Sequence, residues 1–303
     1  GGCGEWAGTV FPGGRRFSQV NEFFPDAEFS GNPAGDGSSL TQNDGGSKKS
    51  DSEDPCNEEK CAALEKQVAS AYKGVFFAND FSYLDDPCYG GYALGDELKR
   101  MQICDNAILD IGGQYRLRFQ SEHNMRGLGL TGLDDAFLLH RTRLYANLHC
   151  NEGFRFYVEG LDAVSNYENI QPRLIEENRC DLLNLFADAR LLDGEDGELW
   201  GRVGRQELLY GQQRLVSPLD WANTRRTFDG AKVFWKGSEW DVDAFWTRPV
   251  LPNYRDFDNW DESQEFMGVY STYKGFENKV VDLYYLRYVE QDNHPHLKRT
   301  SFD

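Results

Sequence analysis

From Ala107 to the end of the chain, apolar and polar residues alternate with period two, the repeat of a strand with two unlike faces. Between Ile108 and Ser121, one face carries Leu109, Ile111, Tyr115, Leu117 and Phe119, and the other carries Asp110, Gln114, Arg116, Arg118 and Gln120. Between Phe137 and His149, the residues Leu138, Thr142, Leu144, Ala146 and Leu148 oppose Arg141, Arg143, Tyr145, Asn147 and His149. The same alternation recurs over 154–164, 183–193, 198–210, 226–236, 239–250, 264–274, 279–291 and 296–303. The pattern predicts about ten strands, most of them long enough to cross a bilayer at a tilt.

The connections sharpen this expectation. After the second, fourth, sixth and eighth strands the link is a short turn, at 150–153, 193–197, 237–238 and 275–278. After the first, third, fifth and seventh it is a loop of about 12 to 18 residues, at 123–134, 165–182, 211–225 and 251–263. Only 292–295 breaks the rule. Turns on one rim and loops on the other belong to an antiparallel meander closed as a transmembrane β-barrel. The competing architecture is a soluble β-sandwich or β-solenoid, whose strands run to about five or six residues and which has no reason for strict alternation of connection lengths.

Two different segments precede the strands. Residues 1–55 are rich in Gly, Ser, Asn and Asp, offer little apolar surface to offset the entropy of ordering, and are expected to form a disordered leader. Residues 56–106 open with Cys61, Leu64, Val68 and Tyr72 at helical spacing, which predicts one short amphipathic helix over 56–72. An irregular, aromatic-rich connector then carries Phe76, Phe77, Phe81, Tyr83, Tyr89 and Tyr92, and is expected to pack on or inside something larger. The partial barrel follows over 107–303.

Charge and composition narrow the class. A formal net charge of −18 argues against a nucleic-acid partner, which requires a basic surface. No run of 18 uncharged apolar residues exists, which excludes a transmembrane helix but not a barrel, whose strands keep the mean hydropathy low. Seven cysteines are too few for a disulfide scaffold at this length. Cys56 and Cys61 lack a second pair at zinc spacing, so a disulfide or free thiols are expected there rather than a metal, and no cofactor is called for. Cys88 and Cys104 stand as candidate partners, whereas Cys150 and Cys180 fall on opposite rims and cannot bond. Cys3 would be a lipidation site if a lipobox preceded it. The chain opens on Gly1-Gly2-Cys3-Gly4 and closes on Ser301-Phe302-Asp303, part-way along a strand, which reads as a fragment.

Within this frame the run Gly201-Arg202-Val203-Gly204-Arg205-Gln206-Glu207 leads through Gln213-Arg214-Leu215-Val216-Ser217-Pro218 to Arg226-Thr227-Phe228-Asp229-Gly230. In order and position it resembles the signature of the alginate-export family of porin-like outer-membrane proteins. Asn79-Asp80-Phe81-Ser82-Tyr83-Leu84 is similar to the pre-barrel segment of a planctomycete-type branch of such proteins. The resemblance covers about 75–303 and implies a full barrel of about 18 strands in the outer membrane of a Gram-negative-type bacterium, with the leader on the periplasmic side and lipid around the wall.

The faces then acquire chemistry. A lipid-facing Arg or Lys at mid-bilayer costs about 2–4 kcal/mol, so Arg116 and Arg118 must point inward. By parity Arg141, Arg143, Arg155, Arg190 and Lys232 do the same. Arg202 and Arg205 have opposite parity, so one of them lies at a rim or a bulge turns the strand. A row of guanidinium groups suits an anionic polysaccharide or another acidic solute, which the resemblance extends to alginate-like export. Inward acids such as Asp110, Glu159, Asp188, Glu239, Asp241 and Asp243 could instead neutralise the row through cross-strand pairs. No catalytic set is visible, since Glu159 and Asp162 face apart, and the tryptophans near strand ends fit an interfacial girdle. The expected function is an outer-membrane channel and not an enzyme. The alternative is a soluble carbohydrate-binding or structural β-sheet protein.

Overall fold

A computed structural model describes residues 56, 58–126, 129–254, 256–277 and 279–291. Among them one helix, α1 (Glu58–Ala69), is followed by three 3-10 turns at Phe76–Ala78, Ser82–Asp85 and Asp96–Leu98. Eleven strands follow: β1 (Met101–Cys104), β2 (Ala107–Glu122), β3 (Asp135–Cys150), β4 (Phe154–Asn166), β5 (Asn178–Gly194), β6 (Gly197–Gln206), β7 (Phe228–Gly237), β8 (Trp240–Leu251), β9 (Asn259–Trp260), β10 (Gln264–Phe276) and β11 (Lys279–Glu290). Each pairs antiparallel with its neighbour in sequence along the path β1 to β8, then β10 and β11, while β9 adds to β8 alone. The fold is an all-β meander. The predicted leader over 1–55, Cys3 and the strand over 296–303 lie outside the described residues.

Alternation governs burial strand by strand. In β3 the odd positions from Asp135 to Asn147 are buried, and in β4 every odd position from Tyr157 to Ser165 is. The opposite face exposes Leu117 at 56%, Phe119 at 69% and Leu144 at 66%. The covered side will be called the inner face and the bare side the outer face. It is the inner face that holds the arginines and acids.

Two segments cover the inner face. Near the short-turn rim lies the connector after α1, with Phe76 and Phe77 packed on the stacked rings of Tyr145, Tyr157 and Phe186. Lys99 Nζ donates to the Ile111 carbonyl and to the Tyr145 hydroxyl, and it lies so close over Gly112 that any Cβ there would collide with it. Nearer the other rim lies the loop between β6 and β7, residues 207–227, whose Leu208 and Val216 close a cluster with Phe228 and Phe245.

The connector and helix also have a core of their own, in Leu64, Ala71, Phe81 and Tyr83, closed by a Cys56–Cys88 disulfide. That bridge corrects the Cys88–Cys104 expectation. Cys104, in β1, is a free thiol, and so are Cys61 of α1 and Cys150 of β3. Four further expectations move. The helix ends at Ala69, before Tyr72. Residues 101–104 form a short strand rather than irregular chain, because they fold back on β2 and pair Met101 with Leu109. The strand expected over 198–210 ends at Gln206, because Glu207 and Leu208 are both buried and leave the alternation. Glu239 lies in the β7–β8 turn rather than on an inward strand position.

Candidate functional site

The candidate site is the inner face of β2 to β8 with the two segments that lie on it. Strand parity delivers the basic side chains. Arg116 and Arg118 of β2 reach the tip of the 207–227 loop, where Arg116 donates to the carbonyls of Asp220 (2.7 Å) and Ala222 (2.9 Å) and Arg118 to that of Trp221 (2.5 Å). Arg141 of β3 joins them through Gln114 and the Asp220 carboxylate, at 3.0 and 2.9 Å.

Below them, Arg143 is bound to Glu159 at 2.6 Å and stands 3.8 Å from Glu207. Its guanidinium lies 3.7 Å from the ring centre of Phe76. Arg155 donates to Asn147 and to the Phe77 carbonyl, with Asp188 at 3.8 Å. Arg202 grips the same Asp188 with two parallel bonds of 2.7 and 2.8 Å, and stacks on Phe186 and Phe77. Lys232 pairs with Asp243 at 3.0 Å. Arg190, at the short-turn rim, binds Glu198, Asp193 and Glu152.

The parity conflict between Arg202 and Arg205 resolves at the loop-side rim. Arg205 pairs in register with Asp229 across β6 and β7, binds it through two 2.9 Å bonds, and is capped by Asp181 and the Asp258 carbonyl. It is therefore not on the inner face with the other eight. Gly204, at φ +125°, precedes it, and a Cβ there would strike the Leu185 carbonyl.

Two basic groups escaped the sequence reading because they lie in loops. Arg225, fully buried, ties Glu207 and Asp220 together and donates to the Gly74 carbonyl at 3.0 Å, so it joins the β6–β7 loop to the connector. Arg126, beneath the β2–β3 loop, binds Glu176 at 2.7 Å and faces the Phe137 ring at 4.4 Å. Their burial is set by loop folding, to which strand periodicity is blind. Glu159 points inward and Asp162 outward to Arg179, so no carboxylate pair forms.

Among the described residues, three ion pairs stand on the outer face near the loop-side rim, Asp162 with Arg179, Arg205 with Asp229 and Arg248 with Glu265, and Arg287 of β11 is exposed on the same face. Trp235, Trp240 and Trp246 share that face, whereas Trp200 is turned inward toward Glu198.

At the loop-side rim the buried Asp258 accepts bonds from the Asn253 amide and from Asn178, and its own amide donates to Asp181. Burial pushes its carboxyl up to about 6, and the Asp181 charge adds to this against the opposing Asn253 and Asn178 bonds and the charge of Arg205. A carboxyl whose folded value lies above its free value of 3.8 favours the docked loop most at low pH and loses that contribution as pH rises through about 6. We expect protection of the Asn253 and Asp258 amides against hydrogen exchange, corrected for intrinsic rate, to rise between pH 7 and pH 5. Asp258→Asn should abolish the trend, and a flat wild-type profile would contradict the assignment.

A family model described as alginate export matches residues 107–302, more than half of the chain. No curated protein and no solved structure matches the chain.

Proposed function

Because the chain belongs to the alginate-export family, we propose that it forms part of the wall of an outer-membrane channel through which a polysaccharide passes. The observation that carries this reading is the inversion of the sheet: guanidinium and carboxylate groups are covered on the inner face, while Leu117, Phe119, Leu144, Phe156, Val203 and Leu283 stand bare on the outer one. An apolar surface of that extent is stable against hydrocarbon and costly in water. The rim pairs Asp162–Arg179, Arg205–Asp229 and Arg248–Glu265 fit the upper limit of the apolar belt. In this reading the short turns face the periplasm, the long loops face outward, and residues 56–106 enter from the periplasmic side.

For the solute, charge that remains uncompensated matters more than the number of arginines. Arg143, Arg155, Arg202 and Lys232 all have carboxylates beside them. Arg116 and Arg118 are held mainly by main-chain carbonyls, with the Asp220 carboxylate 4.0 Å from Arg116. A carboxylate displaces a carbonyl from a guanidinium because the charge-assisted bond is about twice as strong. Arg116 and Arg118 are thus the first contacts for an acidic sugar, with Arg141 beside them.

The test is conductance in planar bilayers with anion and cation permeabilities compared. Arg116→Ala combined with Arg118→Ala should lower the anion-to-cation ratio several-fold, and an unchanged ratio would remove the acidic-solute reading. A protein that stayed monodisperse in water without detergent would remove the channel itself.

A further inference from the structure

We propose that residues 71–100 are a plug seated in the periplasmic half of the lumen, and that the channel opens when this segment leaves its seat. The inference rests on the channel reading above, and the seat is defined by side chains of five strands. Phe76 and Phe77 cover the Tyr145, Tyr157 and Phe186 rings of β3, β4 and β5. Gly74 and Phe77 offer their carbonyls to Arg225 and Arg155. Lys99 and the Arg100 amide bind the Ile111 carbonyl and Asp110 of β2, and Arg202 of β6 stacks on Phe77. Solute moving along the arginine row would have to displace this segment, because it lies on Arg143, Arg155 and Arg202 themselves.

Two features make the segment removable rather than a fixed part of the wall. The first is charge: the plug gives these arginines only neutral acceptors and ring faces, while their carboxylate partners belong to the wall or to the β6–β7 loop. Arg143 keeps Glu159, Arg202 keeps Asp188, and Arg225 keeps Glu207 and Asp220 after the plug departs. Departure therefore leaves none of these arginines alone, and Asp110, which gives up the Arg100 amide, keeps its bond from Asn147; a buried charge stranded without a partner is what makes breaking a charged interface costly. The second is cohesion: the segment shares a core with α1 around Leu64, Phe81 and Tyr83, holds an internal Arg100–Asp85 pair and is tied to Cys56 through Cys88, so segment and helix can move as one body. A cavity of about 390 Å³ between Phe77, Arg202, Tyr210, Lys232 and Tyr270 already separates the plug from the β7–β10 side of the wall.

The experiment compares single-channel currents of the full-length protein with those of Phe76→Ala/Phe77→Ala and of a deletion lacking 71–98, each verified as folded by its β-sheet circular dichroism in detergent. The expected result is a several-fold rise in mean conductance or open time for both variants, larger for the deletion. Equal currents from the wild type and both variants would overturn the plug and leave the channel standing. No current from any of the three, despite insertion, would overturn the channel and the plug together.

Discussion

Replacing Arg143 by alanine is expected to destabilise the folded sheet by about 3–5 kcal/mol, among the largest effects of any single change in the chain. Its guanidinium, 1% exposed, stands between Glu159 at 0% and Glu207 at 2%. Truncation would leave Glu159 charged and dry, with only Asn184 and the Tyr157 hydroxyl donating to it. Glu207 would fare better, because Arg225 still binds it. The double variant Arg143→Met/Glu159→Gln removes both charges together and should recover most of the loss. Guanidinium unfolding midpoints in detergent micelles decide the matter. A double variant as unstable as the single one would show that Arg143 acts through packing on Phe76 and not through charge.

The second large effect belongs to the other side of the same strand. Leu144→Arg should reduce stability in lipid vesicles by about 2–4 kcal/mol, the cost of a guanidinium facing hydrocarbon. The same substitution at Gln120, on the inner face beside Glu122, should change stability by less than about 0.5 kcal/mol. If Leu144→Arg folded into vesicles as readily as the parent, the outer face would not be the lipid face.

These two predictions rest on what the sequence made legible. Period-two alternation located nine strands near their observed positions and assigned Leu144 and Arg143 to opposite faces, because a charge and an aliphatic chain on adjacent residues of a strand cannot share an environment. What it could not supply was partners. Arg116 and Ala222 lie 106 residues apart, and their contact depends on the β6–β7 loop folding back along the inner face as far as β2. Loop paths are fixed by tertiary fit, which explains why Arg225, the group that joins that loop to the connector, went unnoticed. For a related reason β1 was missed: four residues with no sustained alternation owe their strand to β2 beside them. The aromatic connector was expected to pack on something larger, but the choice of the inner face follows from the three rings of Tyr145, Tyr157 and Phe186, which meet only once β3, β4 and β5 are aligned.

The Cys56–Cys88 bridge joins residues 32 apart, both of which precede the first strand, so it sets an order of events. Its closure needs no strand to have paired and only an oxidant to have been met, since such bonds form and persist outside the reducing cytosol. Closing a loop of that length removes about 3–4 kcal/mol of chain entropy from the open state. The segment emerging ahead of the barrel can thus be made compact while the strands behind it are still unpaired, and the wall is then assembled around a body already shaped. Oxidation of that pair is therefore expected to be possible before any strand pairs, and protein kept reduced should present the sheet with a loose tail in place of a fitted core.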